Sequence, residues 1–245
     1  MAERTRVDIL GCGVDRVGRD EAADRIAAFV RDTRAAHVVT FGAEMAVFAR
    51  RDGAYRDAVN AAYLVVPDTV GIVWASRVLG DPLRERVPGI ELVERLCETL
   101  GAPVFFLGAA DGVAVAAASA LQARHPRLRV AGSRHGFFAD GDSKAIADEI
   151  RASGAALALV ALGFPRQEFW IREHLHSLGG VTCIGVGGAF DVWAGKSRRA
   201  PEWWRRAGLE WFYRLVTEPR RLGRQLVLPE FAVRVLLQRM HRRRE

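Results

Sequence analysis

Leu157-Ala158-Leu159-Val160-Ala161-Leu162 is an unbroken apolar run, and Gly163-Phe164-Pro165-Arg166-Gln167-Glu168 follows it at once. A helical pattern over Gln167–Leu175 comes next, then a second apolar run, Val181–Val186, which ends in Gly185-Val186-Gly187-Gly188. Apolar runs that do not alternate with polar residues bury both faces, which marks the strands of a parallel sheet covered by helices. The same unit recurs upstream. Strand patterns at His37–Phe41, Ala62–Val66, Pro103–Leu107 and Leu128–Ser133 are followed by helical patterns at Glu44–Arg51, Val70–Leu79, Asp111–Arg124 and Ser143–Ser153, and Ile90–Leu100 is amphipathic. This alternation predicts an α/β fold with a largely parallel sheet.

Strand patterns stop after Gly195. Pro201, Pro219 and Pro229 mark possible helix starts, since proline is tolerated in a first helical turn. The charge changes at the same place. Residues 1–195 hold 22 Lys+Arg against 24 Asp+Glu, whereas residues 196–245 hold 14 against 5. We therefore expect a near-neutral α/β domain over 1–195 and a basic, aromatic-rich helical appendage over 196–245. Leu226, Phe231, Val235, Leu236 and Met240 are expected along one side of an amphipathic helix there. Arginine and aromatic side chains together suit nucleic acid, an anionic membrane or phosphorylated substrates.

Several classes are excluded. At 50% hydrophobic residues the chain builds a core, so wholesale disorder is ruled out. No apolar run reaches the ~18 residues of a membrane span. Met1–Leu10 has no apolar h-region, so a signal peptide is not expected. Cys12, Cys97 and Cys183 are too far apart for a disulfide framework or zinc knuckle, which fits a reducing compartment. His135, His174 and His176 lack metal-ligand spacing and read as surface residues, so no metal site is expected. Gly11-Cys12-Gly13 has Arg16 where a dinucleotide fingerprint needs its third glycine, and reads as a turn.

Three strand ends remain as candidate ligand sites, because open α/β sheets bind ligands beyond the carboxyl ends of their strands. Asp68 follows Val66-Pro67, either as a general base in a cleft or as the N-cap of the next helix. Gly163–Glu168 either presents N–H groups to a diphosphate, with Arg166 adding charge, or is an ordinary loop with Gln167 and Glu168 in a first helical turn. Gly187-Gly188 lets backbone approach a ligand, with Asp191 either on a ribose or capping a turn.

In order along the chain, these stretches resemble the WecG/TagA/CpsF family of bacterial glycosyltransferases. The resemblance rests on Thr40–Arg50, Val66-Pro67-Asp68, Arg86-Val87-Pro88-Gly89, Phe105–Gly108, His135–Phe138 and Leu162–Glu168. It rests most of all on Val186–Pro201 (VGGAFDVWAGKSRRAP) and Gly208–Arg221 (GLEWFYRLVTEPRR). It implies a Rossmann-like fold with helices on both faces and an appendage that docks on the membrane and completes the active site. The implied reaction is an inverting, metal-independent transfer, with no cofactor. It takes an N-acetylmannosamine-like sugar, or its uronic acid, from a UDP-sugar to a polyprenyl-diphosphate-linked amino sugar.

By the same resemblance Asp68 is the catalytic base, with Thr40 and Arg86 beside it. Gln167, Gly187, Gly188 and Asp191 bind the UDP donor, and Arg214, Arg221 and Arg224 clamp the diphosphate. The implied location is the inner face of the cell membrane, with a homo-oligomer possible. The departures are Gly42 for the family's usual Asn, Thr69 for its Gly, and Ile90-Glu91 for its Ser-Asp. They keep open an altered-specificity or non-catalytic sugar-nucleotide-binding protein. A nucleic-acid partner is not expected, since a neutral body with several glycine-rich strand ends suits a cleft.

Overall fold

The structure is a computed structural model that describes residues 6–206, 212–213 and 227–242. The chain opens with a hairpin, β1 (Arg6–Ile9) and β2 (Cys12–Asp15), followed by α1 (Arg19–Arg31). Then come β3 (Ala36–Phe41), α2 (Ala43–Arg51), α3 (Gly53–Asn60), β4 (Leu64–Pro67), α4 (Val70–Val78) and α5 (Gly89–Thr99). The second half runs β5 (Pro103–Gly108), α6 (Val113–Arg124), β6 (Arg129–Arg134), α7 (Ser143–Ala152), β7 (Leu157–Ala161), α8 (Arg166–His174), β8 (Thr182–Gly185) and α9 (Ala189–Trp193). In the appendage, α10 spans Glu202–Arg206 and α11 spans Val227–Arg242.

Six strands form one sheet in the order β4-β3-β8-β7-β5-β6, and every neighbouring pair is parallel. Alternate residues face opposite sides, as pleating requires. Val38, Leu64, Leu159, Phe106 and Ile184 join one core with residues of α1, α5, α6 and α9. Val39, Phe41 and Val65 join a second core with the hairpin, α2, α3 and α4. Phe105, Leu107, Val160 and Cys183 pack with α7 and α8. Both faces are covered over the body of the sheet, which is why β4, β5 and β7 read as continuous apolar runs, whereas the edge strand β6 is exposed or half-buried. The expected Rossmann-like architecture is present.

The Gly11 turn closes the hairpin. Leu10 and Gly11 sit at φ 54° and 90°, a two-residue connection with both φ positive, matched to strand twist. Buried Asp15 fastens the hairpin to the sheet, accepting from Val65 N at 2.8 Å and pairing with Arg6 at 3.2 Å.

α11 departs from expectation in the arrangement of its apolar residues. Phe231 and Val235 are buried in the core shared with α2 and α4, and Gln238 bonds Leu10 N and Asp8. Leu236 and Met240, expected on the same side, are 47% and 53% exposed. Leu226 lies outside the described residues.

Candidate active site

The strand order brings the carboxyl ends of β4, β3, β8 and β7 side by side. Thr40, near the end of β3, donates its Oγ1 hydrogen to the Gly185 carbonyl of β8 at 2.8 Å. Asp68 leaves β4 one residue after Pro67, and its N–H donates to Phe41 O at 3.0 Å. The carboxylate reaches across to α5, where Oδ1 accepts from Gly89 N at 2.7 Å. Val87 N donates to Pro67 O at 2.7 Å, which pins the Arg86–Gly89 segment beside the strand end. A Cβ on Gly89 would fall 2.8 Å from Thr40 Cγ2. Glycine is what lets Thr40, Asp68 and the start of α5 converge. The alternative role for Asp68 is not what the structure shows. The N-cap of α4 is Thr69, without a side-chain cap bond.

Gln167 joins this group from α8. Its amide is buried, with Oε1 accepting from Gly187 N at 3.1 Å and Nε2 donating to Glu168 Oε1 at 2.7 Å. Any side chain at Gly185 would put its Cβ 2.7 Å from Gln167 Nε2. Gly188 precedes α9, and Asp191 lies half-buried in its first turn. The Asp191 carbonyl accepts from Lys196 N and Ser197 N at 2.8 and 3.0 Å, closing the turn into the basic segment. Arg166 does not add free charge. It donates to the carbonyls of Gly136 and Phe138 at 2.7 and 3.2 Å and lies over the Phe138 ring.

Arg86 is half-buried next to Glu91, which pairs with Arg199 at 2.5 Å and Arg19 at 3.3 Å. Burial alone would raise the Glu91 carboxyl, but Arg199, with Arg86 and Arg19, outweighs it and holds the group below its ordinary range. The Arg199–Glu91 pair ties the start of the appendage to α5. Arg214, Arg221 and Arg224 lie outside the described residues.

The departures at Gly42 and Thr69 are neighbours. A Cβ on Gly42 would sit 3.2 Å from Thr69 Cγ2, closer than ordinary contact. We predict that Gly42→Asn costs about 1–3 kcal/mol of stability through overpacking. Adding Thr69→Gly should return at least ~0.5 kcal/mol of it, because contacting positions couple. Urea unfolding of the two single variants and the double variant measures the coupling.

Sequence reading missed Gly89 as the partner of Asp68 and the burial of Glu168, and it placed His174 wrongly. His174 is 9% exposed and packs on Trp170, with ring centroids 5.1 Å apart, because that side of α8 faces the core. The three cysteines are free and buried, and burial pushes each thiol up to about 12. Among the described residues no group of three or more His, Cys, Asp or Glu gathers as a metal site.

A sequence model described as the glycosyl transferase WecG/TagA/CpsF family matches residues 7–245. A protein of Staphylococcus aureus (strain NCTC 8325 / PS 47) is 34% identical over 235 residues, covering 94% of this chain and 92% of its own length. One from Bacillus spizizenii (strain W23) is 34% identical over 211 residues, covering 85% and 81%. Both are named N-acetylglucosaminyldiphosphoundecaprenol N-acetyl-beta-D-mannosaminyltransferase.

Proposed function

Because this chain belongs to the WecG/TagA/CpsF family and is a glycosyltransferase, we propose that it moves N-acetylmannosamine, or a closely related sugar, from UDP to a polyprenyl-diphosphate-linked amino sugar. The relatives' shared name supports the acceptor and the sugar. The observation that carries the reading is the Asp68 carboxylate, held by Gly89 N at 2.7 Å beside Thr40, on the same sheet edge as the glycine turn that Gln167 fastens.

In this reading the acceptor hydroxyl attacks the anomeric carbon from the side opposite the nucleotide, so the centre inverts. Asp68 takes the hydroxyl proton as the bond forms. The bond from the sugar to the UDP oxygen breaks and leaves charge on the diphosphate. Fixed cations stabilise that charge, so the transfer needs no added metal. Arg86 belongs to the segment that Val87 N pins beside the Asp68 strand end and supplies part of that charge, and Arg214, Arg221 and Arg224 supply the rest from the appendage. Gly187, Gly188 and Asp191 hold the donor.

The appendage also supports a place at the membrane's inner face. Among the described residues no helix is long and apolar enough to cross a bilayer. Val233, Leu236, Leu237 and Met240 instead form an exposed stripe along α11, opposite the buried Phe231 and Val235. Residues 196–245 thus serve as a docking and active-site-completing appendage to the 1–195 domain.

A UDP-release assay tests the reading. The purified chain is given a panel of UDP-sugars and a short-chain lipid-diphosphate N-acetylglucosamine acceptor, with and without EDTA. We expect release with UDP-N-acetylmannosamine or its uronic acid, dependent on acceptor and indifferent to EDTA. Binding of UDP-sugars with no turnover would favour the non-catalytic reading. Loss of release in EDTA would overturn metal independence.

A further inference from the structure

We propose that Glu168 is a positioning residue for the donor site, its buried carboxylate fixing which way the Gln167 amide faces and thereby holding Gly187 N–H in the glycine-rich turn. This rests on the donor site proposed above.

An amide presents a donor on one side and an acceptor on the other, and its neighbours decide which faces where. Gln167 stands between two groups of opposite demand. Gly187 N–H needs an acceptor, and Gln167 Oε1 meets it at 3.1 Å. Glu168 Oε1 accepts from Nε2 at 2.7 Å. With the carboxylate in place, the flipped amide would set Nε2 against Gly187 N–H and Oε1 against Glu168 Oε1. Both of its bonds would then be lost in a buried site.

Glu168 is placed to do this and little else. It is 0% exposed, an unusual position for a glutamate that has no cationic partner among the described residues. Gly185, at the end of β8, makes room for the Gln167 amide that Glu168 binds, since a Cβ there would lie 2.7 Å from Gln167 Nε2. Tyr55 from α3 is the titratable group that faces it, with Cys12 of β2 acting in turn on Tyr55. Among the described residues neither Tyr55 OH nor Glu168 Oε2 has a hydrogen-bond partner of good geometry, although the two act on each other electrostatically.

Burial pushes the Glu168 carboxyl up to about 7, while the hydrogen bonds from Gln167 and its own backbone, and the nearby Tyr55 hydroxyl dipole, pull the other way. Among the described residues no charged side chain contributes to that shift. Above this pH the ionised group accepts from Gln167 through a charge-assisted bond, about twice as strong as the neutral one. The amide is therefore held more firmly as pH rises through 7, and donor affinity rises with it. The diphosphate of a UDP-sugar is already fully ionised there.

The test measures UDP-N-acetylmannosamine affinity and KM from pH 6 to 8.5 in wild type, Glu168→Gln, Glu168→Leu and Tyr55→Phe. In wild type we expect donor KM to fall about fivefold across the inflection, with kcat changing less. Glu168→Gln keeps an acceptor for Nε2, so it should retain binding but lose the inflection. Glu168→Leu should raise donor KM about tenfold or more at every pH. Tyr55→Phe removes a hydroxyl whose dipole lowers the carboxyl, so its inflection should move to higher pH. An inflection in Glu168→Gln that matches wild type would overturn the inference, whether or not Glu168→Leu folds. Wild type that binds no UDP-sugar at any pH would instead sink the donor-site reading.

Discussion

Asp68→Asn lowers transfer by about a thousandfold, with donor KM and melting temperature close to wild type. Asparagine has the same shape as aspartate, and its Oδ1 can still accept from Gly89 N, the bond that holds the native carboxylate at 2.7 Å. The start of α5 and the β4 end therefore keep their geometry. What is lost is a group that can take the acceptor's proton. Positioned general bases contribute about 10²–10⁴ in rate, so a thousandfold loss is about 4 kcal/mol of barrier. Asp68→Ala removes both functions, so it should lose the rate and also loosen the Arg86–Gly89 segment, while the bond from Val87 N to Pro67 O stays in place. UDP release under saturating donor and acceptor, beside thermal melting of each variant, separates the two effects. Asp68→Asn retaining a tenth or more of wild-type turnover would remove Asp68 from the role of base.

The sheet was legible because buried parallel strands need apolar residues on both faces, and Leu157–Ala161 carries them without a break and Thr182–Gly185 with only the buried Thr182 as a polar member. The hairpin was not. Its turn puts a leucine, Leu10, at positive φ, a conformation that no local preference of leucine announces. Asp68 was visible as a carboxylate at a strand end, but its partner lies 21 residues onward, and only the folding back of residues 86–89 onto β4 joins them. Glu168 illustrates the opposite limit. A glutamate in a first helical turn reads as solvated, and its burial appears only when α8 is packed against Tyr55 and the sheet. α11 misled for a third reason. Periodicity finds apolar residues on a helix, but it does not say whether one stripe or two carry them.

Those two stripes separate the contacts that hold α11 to the body from the surface proposed above for docking, and they give the other large effect. Replacing Val233, Leu236, Leu237 and Met240 together by serine should leave the fold intact, because Phe231, Val235 and Gln238 make the contacts with the body. The four side chains are 47–56% exposed, so each still has roughly half its surface to bury in a bilayer. At about 1.5–3 kcal/mol for full burial of such a side chain, four half-burials amount to about 3–6 kcal/mol. That is at least a hundredfold in membrane affinity. Arg239 and Arg242 add electrostatic attraction of about 1 kcal/mol each at an anionic surface. Arg242 is also tied to Asp8 at 2.9 Å, so it offers less than a free cation. Vesicles containing anionic lipid should therefore bind the quadruple variant at least a hundredfold more weakly, and salt should weaken only the residue of binding that the arginines supply. Turnover of an acceptor embedded in those vesicles should fall with binding, while turnover of a short-chain acceptor in solution should not change. Phe231→Ser with Val235→Ser is the complementary pair, and it should lower the melting temperature through loss of buried contacts. Unchanged vesicle binding by the quadruple variant would take the stripe away from the membrane. A drop in sedimenting mass without a drop in vesicle binding would assign it to a second copy of the chain.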